Sequence, residues 1–293
     1  MTKTNLTSMK KLILLCLILA GIYGCSSVPV TGRSQLNLVS DSEVLSLSLQ
    51  QYGDYIKTAK KSTDNVATAM VTNVGRKIAD AVTTYFKSTG QESLLSGYSW
   101  EFNLIDDPQV NAFCMPGGKI VVYTGILPIT QDETGLAVVL GHEVAHAVAK
   151  HANERMSQQV VAQYGAAGVS ALLSKSSSSV QTIGQTVFGL GAQYGVLLPF
   201  NRTQELEADH LGLIFMGIAG YSPDAAIPFW QRMSQQGSAT PEFMSTHPSD
   251  QTRLNAIQQL LPEARKYYNS SQGNNTNTTT PAKNTNTSNQ WRF

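Results

Sequence analysis

The chain has little charge and few cysteines for its length. Of its 293 residues, 14% are charged, well below the roughly 25% typical of soluble domains. A formal net charge of +1 leaves no basic excess, so we expect no nucleic-acid partner. The 3 Cys are too few for a disulfide framework. A chain of this length must therefore rely on a sizeable hydrophobic core.

The beginning of the chain has the order of a secretory signal, which predicts a signal peptide over residues 1–24. Three lysines precede an apolar run from Leu12 to Tyr23, and small residues follow. That run is too short for a retained transmembrane anchor, since a bilayer core needs about 20 apolar residues. The segment Ile22-Tyr23-Gly24-Cys25 resembles a bacterial lipobox, which predicts lipidation of Cys25 and a tether over residues 25–39. Because Tyr23 departs from that pattern, a plain cleaved signal is the alternative.

The other end of the chain predicts no fold. Residues 269–293 are dominated by Asn, Thr and Ser, so we expect a disordered tail after a folded domain of residues 40–268. Inside the domain, alternation over 100–104 and the run from Lys119 to Tyr123 predict β-strands. Helical spacing dominates elsewhere, including a long helix that opens at Thr130 with a capping box. The expected fold is α+β, mainly helical, with a small antiparallel sheet beside this long helix.

The long helix carries the segment His142-Glu143-Val144-Ala145-His146. Helical residues four apart differ by about 40° in direction, so both imidazoles can bind one metal ion. Glu143 can then reach a metal-bound water. This composition would produce about 0.003 accidental matches to the motif, so two solvated His on a helix surface are the weaker interpretation.

A catalytic zinc needs a third protein ligand and an open position for water. Glu205 and Asp209 are four residues apart and share a helix face, whereas Glu207 points about 200° away from Glu205. Without the His motif, Glu205 and Asp209 would suggest only an acidic, solvent-exposed helix face. Beside the His motif, Glu205 is the better third ligand and Asp209 an acceptor for an imidazole N–H.

Together these motifs resemble the gluzincin metallopeptidases of the CAAX-prenyl-protease and HtpX type (peptidase family forty-eight), and within them the soluble periplasmic BepA/LoiP-like lipoprotein branch. The resemblance covers about residues 100–260, and the segment from Pro29 to Leu36 also looks like the mature start of such lipoproteins. The matching residues are Asn111-Ala112-Phe113, Pro116-Gly117-Gly118, Gly141 to His146, Glu205 to Asp209, Thr246-His247-Pro248 and Arg253.

The resemblance implies a zincin-like domain with one Zn²⁺ per chain. By position, His142, His146 and Glu205 would be the zinc ligands and Glu143 the general base. The segment Asn111-Ala112-Phe113 would belong to an edge strand along which a peptide substrate lies.

Two further residues carry open interpretations. His247 is either a ligand that closes the zinc's open site and keeps the enzyme latent, or a cap on a proline turn. Arg253 stabilises the developing oxyanion, pairs with Asp209, or is a plain surface residue. His151 and His210 are expected to be structural, and Cys114 to be a small apolar filler.

The leading hypothesis is a zinc endopeptidase that cleaves misfolded or unassembled cell-envelope proteins. The resemblance places it in the bacterial envelope, as an outer-membrane lipoprotein that faces the periplasm and is held in the membrane by its N-terminal lipid. It would also contact the outer-membrane protein assembly machinery. The alternative is a chaperone-like assembly factor whose zinc site is kept latent by His247. An intact ligand set disfavours a structural lipoprotein with a degenerate site.

Overall fold

The computed structural model describes residues 25–173, 201–235, 242–247 and 251–276. The predicted signal peptide and residues 277–293 of the predicted tail lie outside these ranges. Among the described residues, no helix combines the length and the apolar character needed to span a bilayer.

The N-terminal part forms a hairpin and two helices. Ser40 and Glu43 make a capping box at the start of the first helix, and Asp64 caps the second. The second helix buries one apolar stripe, including Val74 and Ile78, against the rest of the core. The bounds are β1 Cys25–Ser27, β2 Ser34–Leu36, α1 Asp41–Thr58 and α2 Asn65–Ser88.

Three strands make the predicted small sheet, in the order β3-β5-β4. They are β3 Glu101–Ile105, β4 Ala112–Met115 and β5 Lys119–Tyr123. β4 and β5 are antiparallel because they are joined by a tight turn, in which Gly117 and Gly118 have φ of 92° and 81°.

The expectation of a purely antiparallel sheet is corrected by β3, which pairs with β5 in parallel. The chain leaving β3 crosses to the far side of β5 before it forms β4, so β3 and β5 run in the same direction. Apolar alternation identifies strands but carries no information on their direction, and the pairing could not be derived from it.

The rest of the described chain is helical, which confirms the mainly helical α+β fold. The predicted long helix begins two residues later than expected: Asp132 is its N-cap and accepts from the backbone N–H of Gly135, while Thr130 ends a short helix before it. The bounds are α3 Leu127–Thr130, α4 Glu133–Val148, α5 His151–Leu173, α6 Arg202–Ile218, α7 Ala226–Ser234, α8 Glu242–Thr246 and α9 Gln251–Thr276.

Helices α4 and α6 cross at Gly141 and Gly212 with their backbones in contact. A Cβ atom built on Gly212 would lie 2.8 Å from the carbonyl carbon of Gly141 and from the amide nitrogen of His142. Only glycine allows this approach. It brings the HExxH segment of α4 beside the acidic segment of α6.

Both predicted domain boundaries need correction. Residues 25–39 are not a loose tether: Val28 and Val39 are buried, and the Gln35 side chain donates to the carbonyl of Ala149. At the other end, α9 continues past the expected boundary to Thr276. Ser271 Oγ donates to the carbonyl of Gly217 at the end of α6, so a polar composition did not prevent docking of the last turns.

Candidate metal centre

Four buried side chains meet where α4, α6 and the end of α8 come together. They are His142 and His146 from α4, Glu205 from α6, and His247 directly after α8. One ligand atom from each lies within 4.8 Å of all the others, and each residue is at most 3% exposed. The structure thus brings together all four residues that the sequence nominated as metal ligands.

The spacing of these atoms fits a single zinc ion. His142 Nε2 lies 3.1 Å from both His146 Nε2 and His247 Nδ1, and His247 Nδ1 lies 2.9 Å from Glu205 Oε1. His146 Nε2 is 3.3 Å from Glu205 Oε1. Tetrahedral zinc with bonds of about 2.0–2.1 Å places its ligand atoms about 3.3 Å apart. Three imidazoles and one carboxylate are also a donor set that zinc prefers.

Asp209 and Arg253 contact the ligand residues His142 and Glu205 and fix their orientation. Asp209 Oδ1 lies 2.9 Å from His142 Nδ1, so it can accept that N–H and leave Nε2 facing the cluster. Arg253 donates from Nε to Asp209 Oδ2 at 2.7 Å, and its Nη1 is 2.9 Å from Glu205 Oε2. Burial alone would raise the pKa of Asp209, but the charge and hydrogen bonds of Arg253 lower it.

Of the three interpretations of Arg253, the pairing with Asp209 is the one seen. Arg253 is 4% exposed, which is incompatible with a plain surface residue. Its guanidinium lies 3.6 Å from the ring centre of Trp230, a cation–π contact that fixes its plane.

Glu143 is buried beside the cluster and is not one of its four members. Burial raises the pKa of Glu143 to about 7, although His247 opposes the shift. Its Oε1 lies 3.3 Å from His247 Nε2, and the backbone N–H of Cys114 donates to its carboxylate. A carboxyl group with a pKa near neutrality can both take and return a proton.

The predicted substrate segment lies where β4 begins. Ala112 and Phe113 belong to β4, which is the edge strand of its sheet within the described residues. Asn111 precedes it and accepts from the backbone N–H of Tyr123. The Phe113 ring packs against Tyr55 and Tyr123, in the second apolar cluster of the core. Since the Cys114 N–H reaches Glu143, the side of β4 that does not pair with β5 faces the metal centre.

The short helix α8 holds His247 in the cluster. The backbone N–H of Phe243 donates to the carbonyl of Val110, just before the edge strand. The Phe243 ring stacks on Trp230 with 22° between the planes and lies 4.7 Å from the His247 ring. With His247 in place, four protein side chains would be available to hold a zinc ion, the number found in structural zinc sites.

One partner of the ligands was missed from the sequence. His151, expected to be only structural, has its Nδ1 2.8 Å from His146 Nδ1, and its Nε2 lies 3.3 Å from Glu207 Oε2. His151 opens a new helix after Lys150, whose φ is 59°, so helical spacing could not relate it to His146. The available signal was a third His five residues after the motif.

The remaining candidates behave as structural residues. His210 is paired with Glu263 at 2.8 Å on a partly exposed face of the protein. Burial raises the pKa of the Cys114 thiol, so this side chain stays neutral, in keeping with an apolar filler.

An HExxH helix joined to a glutamate from a second helix, in a mainly helical α+β fold, defines a zinc metallopeptidase. The chain belongs to Peptidase family M48, whose model matches residues 68–261. Among curated relatives, the mitochondrial metalloendopeptidase OMA1 of Schizosaccharomyces pombe is 42% identical over 175 residues, which are 58% of this chain and 49% of the relative. OMA1 of Saccharomyces cerevisiae is 31% identical over 261 residues, 83% of this chain and 71% of the relative.

A beta-barrel assembly-enhancing protease of Yersinia pestis is also similar. It is 32% identical over 195 residues, which are 62% of this chain and 40% of the relative. The chain spans about half the length, or less, of most of these relatives.

The comparisons overturn the predicted location. The relatives of higher similarity are mitochondrial OMA1 proteins, so the assignment to a bacterial outer-membrane lipoprotein facing the periplasm is wrong. The BepA/LoiP-like branch is likewise not singled out. A short cationic and apolar beginning is too simple a pattern to define one membrane or compartment, and Tyr23 already departed from the lipobox.

Proposed function

We propose that the chain hydrolyses internal peptide bonds in extended segments of misfolded or unassembled proteins, and that His247 keeps the site latent between substrates. The observation that carries this proposal is the cluster itself: three ligands on two helices, a fourth directly after a short separate helix, and a buried carboxyl group beside them.

His142, His146 and Glu205 would hold the zinc, which when bound polarises a carbonyl and acidifies a water molecule. Glu143 lies beside the cluster without being one of its four members, which places its carboxylate to take the proton from that water and pass it to the leaving amine. Asp209 keeps the proton of His142 on Nδ1, and Arg253 fixes Asp209.

The side of β4 that does not pair with β5 would hold the substrate. An extended peptide can add to an edge strand through main-chain hydrogen bonds, which select conformation more than sequence. A cavity of about 300 Å³ lies past the end of β4, lined by Leu45, Tyr98, Gly117 and Ala147 among others, and has room for one substrate side chain. An unfolded segment fits this arrangement better than a folded surface.

Latency follows from the position of His247. Its Nδ1 completes the ligand set while its Nε2 faces Glu143, so one side chain blocks both the water position and the base. Catalysis therefore requires His247 to leave, which means moving α8 away from Val110 and Trp230.

The clients and partners rest on similarity alone. The name of the Yersinia relative supports clients that are unassembled membrane or cell-envelope proteins, and contact with a machinery that assembles membrane proteins. Lipidation of Cys25, which begins β1, stays a prediction.

The test is cleavage of casein, as an unfolded protein, by the zinc-loaded full chain. We expect Glu143→Gln to abolish cleavage while zinc stays bound, and His247→Ala to raise it at least about tenfold over the wild type. His210→Ala, which changes a His outside the cluster, is the matched control and should behave like the wild type. Cleavage that persists in Glu143→Gln contradicts the assignment of the base.

A second candidate function is a chaperone-like assembly factor with a latent zinc site, which the four-ligand closure favours. It predicts that the wild type suppresses aggregation of an unfolded client without cleaving it, and that His247→Ala gains no cleavage. The same set of variants therefore separates the two functions.

A further inference from the structure

A chain of polar contacts leads from the metal centre to the N-terminal hairpin. His146 Nδ1 lies 2.8 Å from His151 Nδ1, and His151 Nε2 lies 3.3 Å from Glu207 Oε2. Glu207 in turn accepts from Arg33 Nε at 2.7 Å and from Thr31 Oγ1 at 2.6 Å. Three helices and the hairpin contribute one or two residues each, so the chain exists only in the folded protein.

The protons in this chain have one consistent arrangement. His146 Nε2 faces the other ligands, so with zinc bound it would present a lone pair and Nδ1 would carry the proton. His151 Nδ1 then accepts that proton's hydrogen bond, which leaves the proton of His151 on Nε2, pointing at Glu207. Glu207 can only accept, as an ionised carboxylate does. Each contact therefore fixes the orientation of the next ring.

Glu207 is 5% exposed, and a buried carboxylate needs a positive charge beside it. Arg33 supplies that charge and bridges Glu207 to Glu154, which it contacts through Nη1 and Nη2 at 2.8 Å each. Gln204 also donates to Glu154, at 2.7 Å. Without Arg33, two buried carboxylates would face each other uncompensated, and Glu207 would lose the contact that holds it against His151.

We infer that Arg33 is a positioning residue for the zinc ligand His146, acting through Glu207 and His151. The hairpin that carries it precedes residue 68, where the match to the family model begins, and it is tied to the metal centre. Displacing the hairpin would loosen the orientation of His146 and weaken zinc binding. The inference concerns metal binding and does not depend on which substrates are cleaved.

The test is the zinc affinity of the purified full chain, measured by competition with a chromophoric chelator. We expect Arg33→Gln and His151→Phe each to weaken zinc binding by about 10–100-fold, the usual effect of removing the hydrogen-bond partner of a ligand. Arg33→Lys retains the charge but cannot make the three contacts of the guanidinium with Glu207 and Glu154, so it should weaken zinc binding less than Arg33→Gln without matching the wild type. Arg265→Gln, which removes an exposed pair with Asp224, is the matched control and should leave the affinity unchanged.

Two further readouts separate positioning from general stability. With cobalt in place of zinc, Arg33→Gln should alter the visible absorption of the site, whereas Arg265→Gln should not. The thermal stability of the metal-free variants is measured in parallel. If Arg33→Gln and His151→Phe lower that stability but bind zinc as tightly as the wild type, the network is only structural and the inference is overturned.

Discussion

The crossing of α4 and α6 gives the sharpest prediction about stability, through Gly212→Ala. The new methyl group would lie 2.8 Å from two backbone atoms of α4, those of Gly141 and His142. An ordinary contact needs about 3.5 Å, so the helices must separate by about 0.7 Å. Neither helix can yield freely, because α4 is almost wholly buried and also packs against α2 and β4.

The expected cost combines two opposing effects. Alanine in place of a helical glycine gains up to about 1 kcal/mol from helix propensity. Overpacking a fixed contact costs about 1–3 kcal/mol, and here the obstructing atoms belong to the backbone. We expect a net loss of about 1–2 kcal/mol in the free energy of unfolding, which lowers Tm by about 2–8 °C for a domain of this size.

The same displacement should weaken metal binding. Moving α6 by about 0.7 Å would stretch the contact between His142 Nδ1 and Asp209 Oδ1, now 2.9 Å, beyond hydrogen-bonding distance. Loss of such a partner costs about 10–100-fold in metal affinity. Stability and zinc affinity should therefore fall together.

The assay is thermal unfolding of the metal-free chain, followed by zinc competition with a chelator. The matched control is Gly53→Ala in α1, where a new Cβ meets no atom within 4 Å. It should raise Tm by about 2–4 °C and leave the zinc affinity unchanged. If Gly212→Ala also raised Tm and bound zinc like the wild type, the close crossing would not set the site's geometry.

Two predictions concern regions outside the metal centre. Asp64 accepts from the backbone N–H groups of Val66 and Ala67, so Asp64→Ala should cost about 1 kcal/mol in urea unfolding and leave casein cleavage unchanged; an unaltered midpoint would contradict this. Burial opposes ionisation of Glu101, but hydrogen bonds led by that of Tyr52 lower its pKa overall. The resulting stability is present above the unfolded value of about 4.3 and is lost as the pH falls through the folded pKa. Tyr52→Phe should therefore make the free energy of unfolding less dependent on pH below about 4.3, and an unchanged slope would refute the role of this hydrogen bond.

The part of the site that could be predicted is the part encoded by helical spacing. His142 and His146 lie on one helix face, as do Glu205 and Asp209, so local geometry alone placed each pair. Whether the two pairs meet in space depends on the packing of α4 on α6. The sequence could predict that they meet only because the zinc chemistry of the HExxH motif demands a third ligand.

The contacts that were not predicted are tertiary. Arg33 reaches Glu207 only because the hairpin lies against α5 and α6, and the sequence of the hairpin suggested a tether instead. The parallel pairing of β3 with β5 could not be predicted either, because the residues of a strand do not determine which strand it pairs with. Helix α9 extends beyond the end of its apolar pattern because the Ser271 hydroxyl donates to a backbone carbonyl of α6.

The charges around the centre explain why so polar a site can be buried at all. Five carboxylates are buried within the described residues: Glu143, Glu154, Glu205, Glu207 and Asp209. In the described part of the chain, three guanidinium groups lie close to them. Arg253 pairs with Asp209, Arg33 pairs with Glu154 and Glu207, and the charge of buried Arg155 interacts with Glu205. Histidines that ligate a metal are neutral, so with every carboxylate ionised the set is short of two positive charges. A divalent cation bound by the four clustered ligands supplies that amount, and without it burial must instead keep protons on groups such as Glu143. The metal, Arg33, Arg155 and Arg253 thus together balance the charge of the buried carboxylates. Loss of any one of them leaves a negative charge that the others do not compensate.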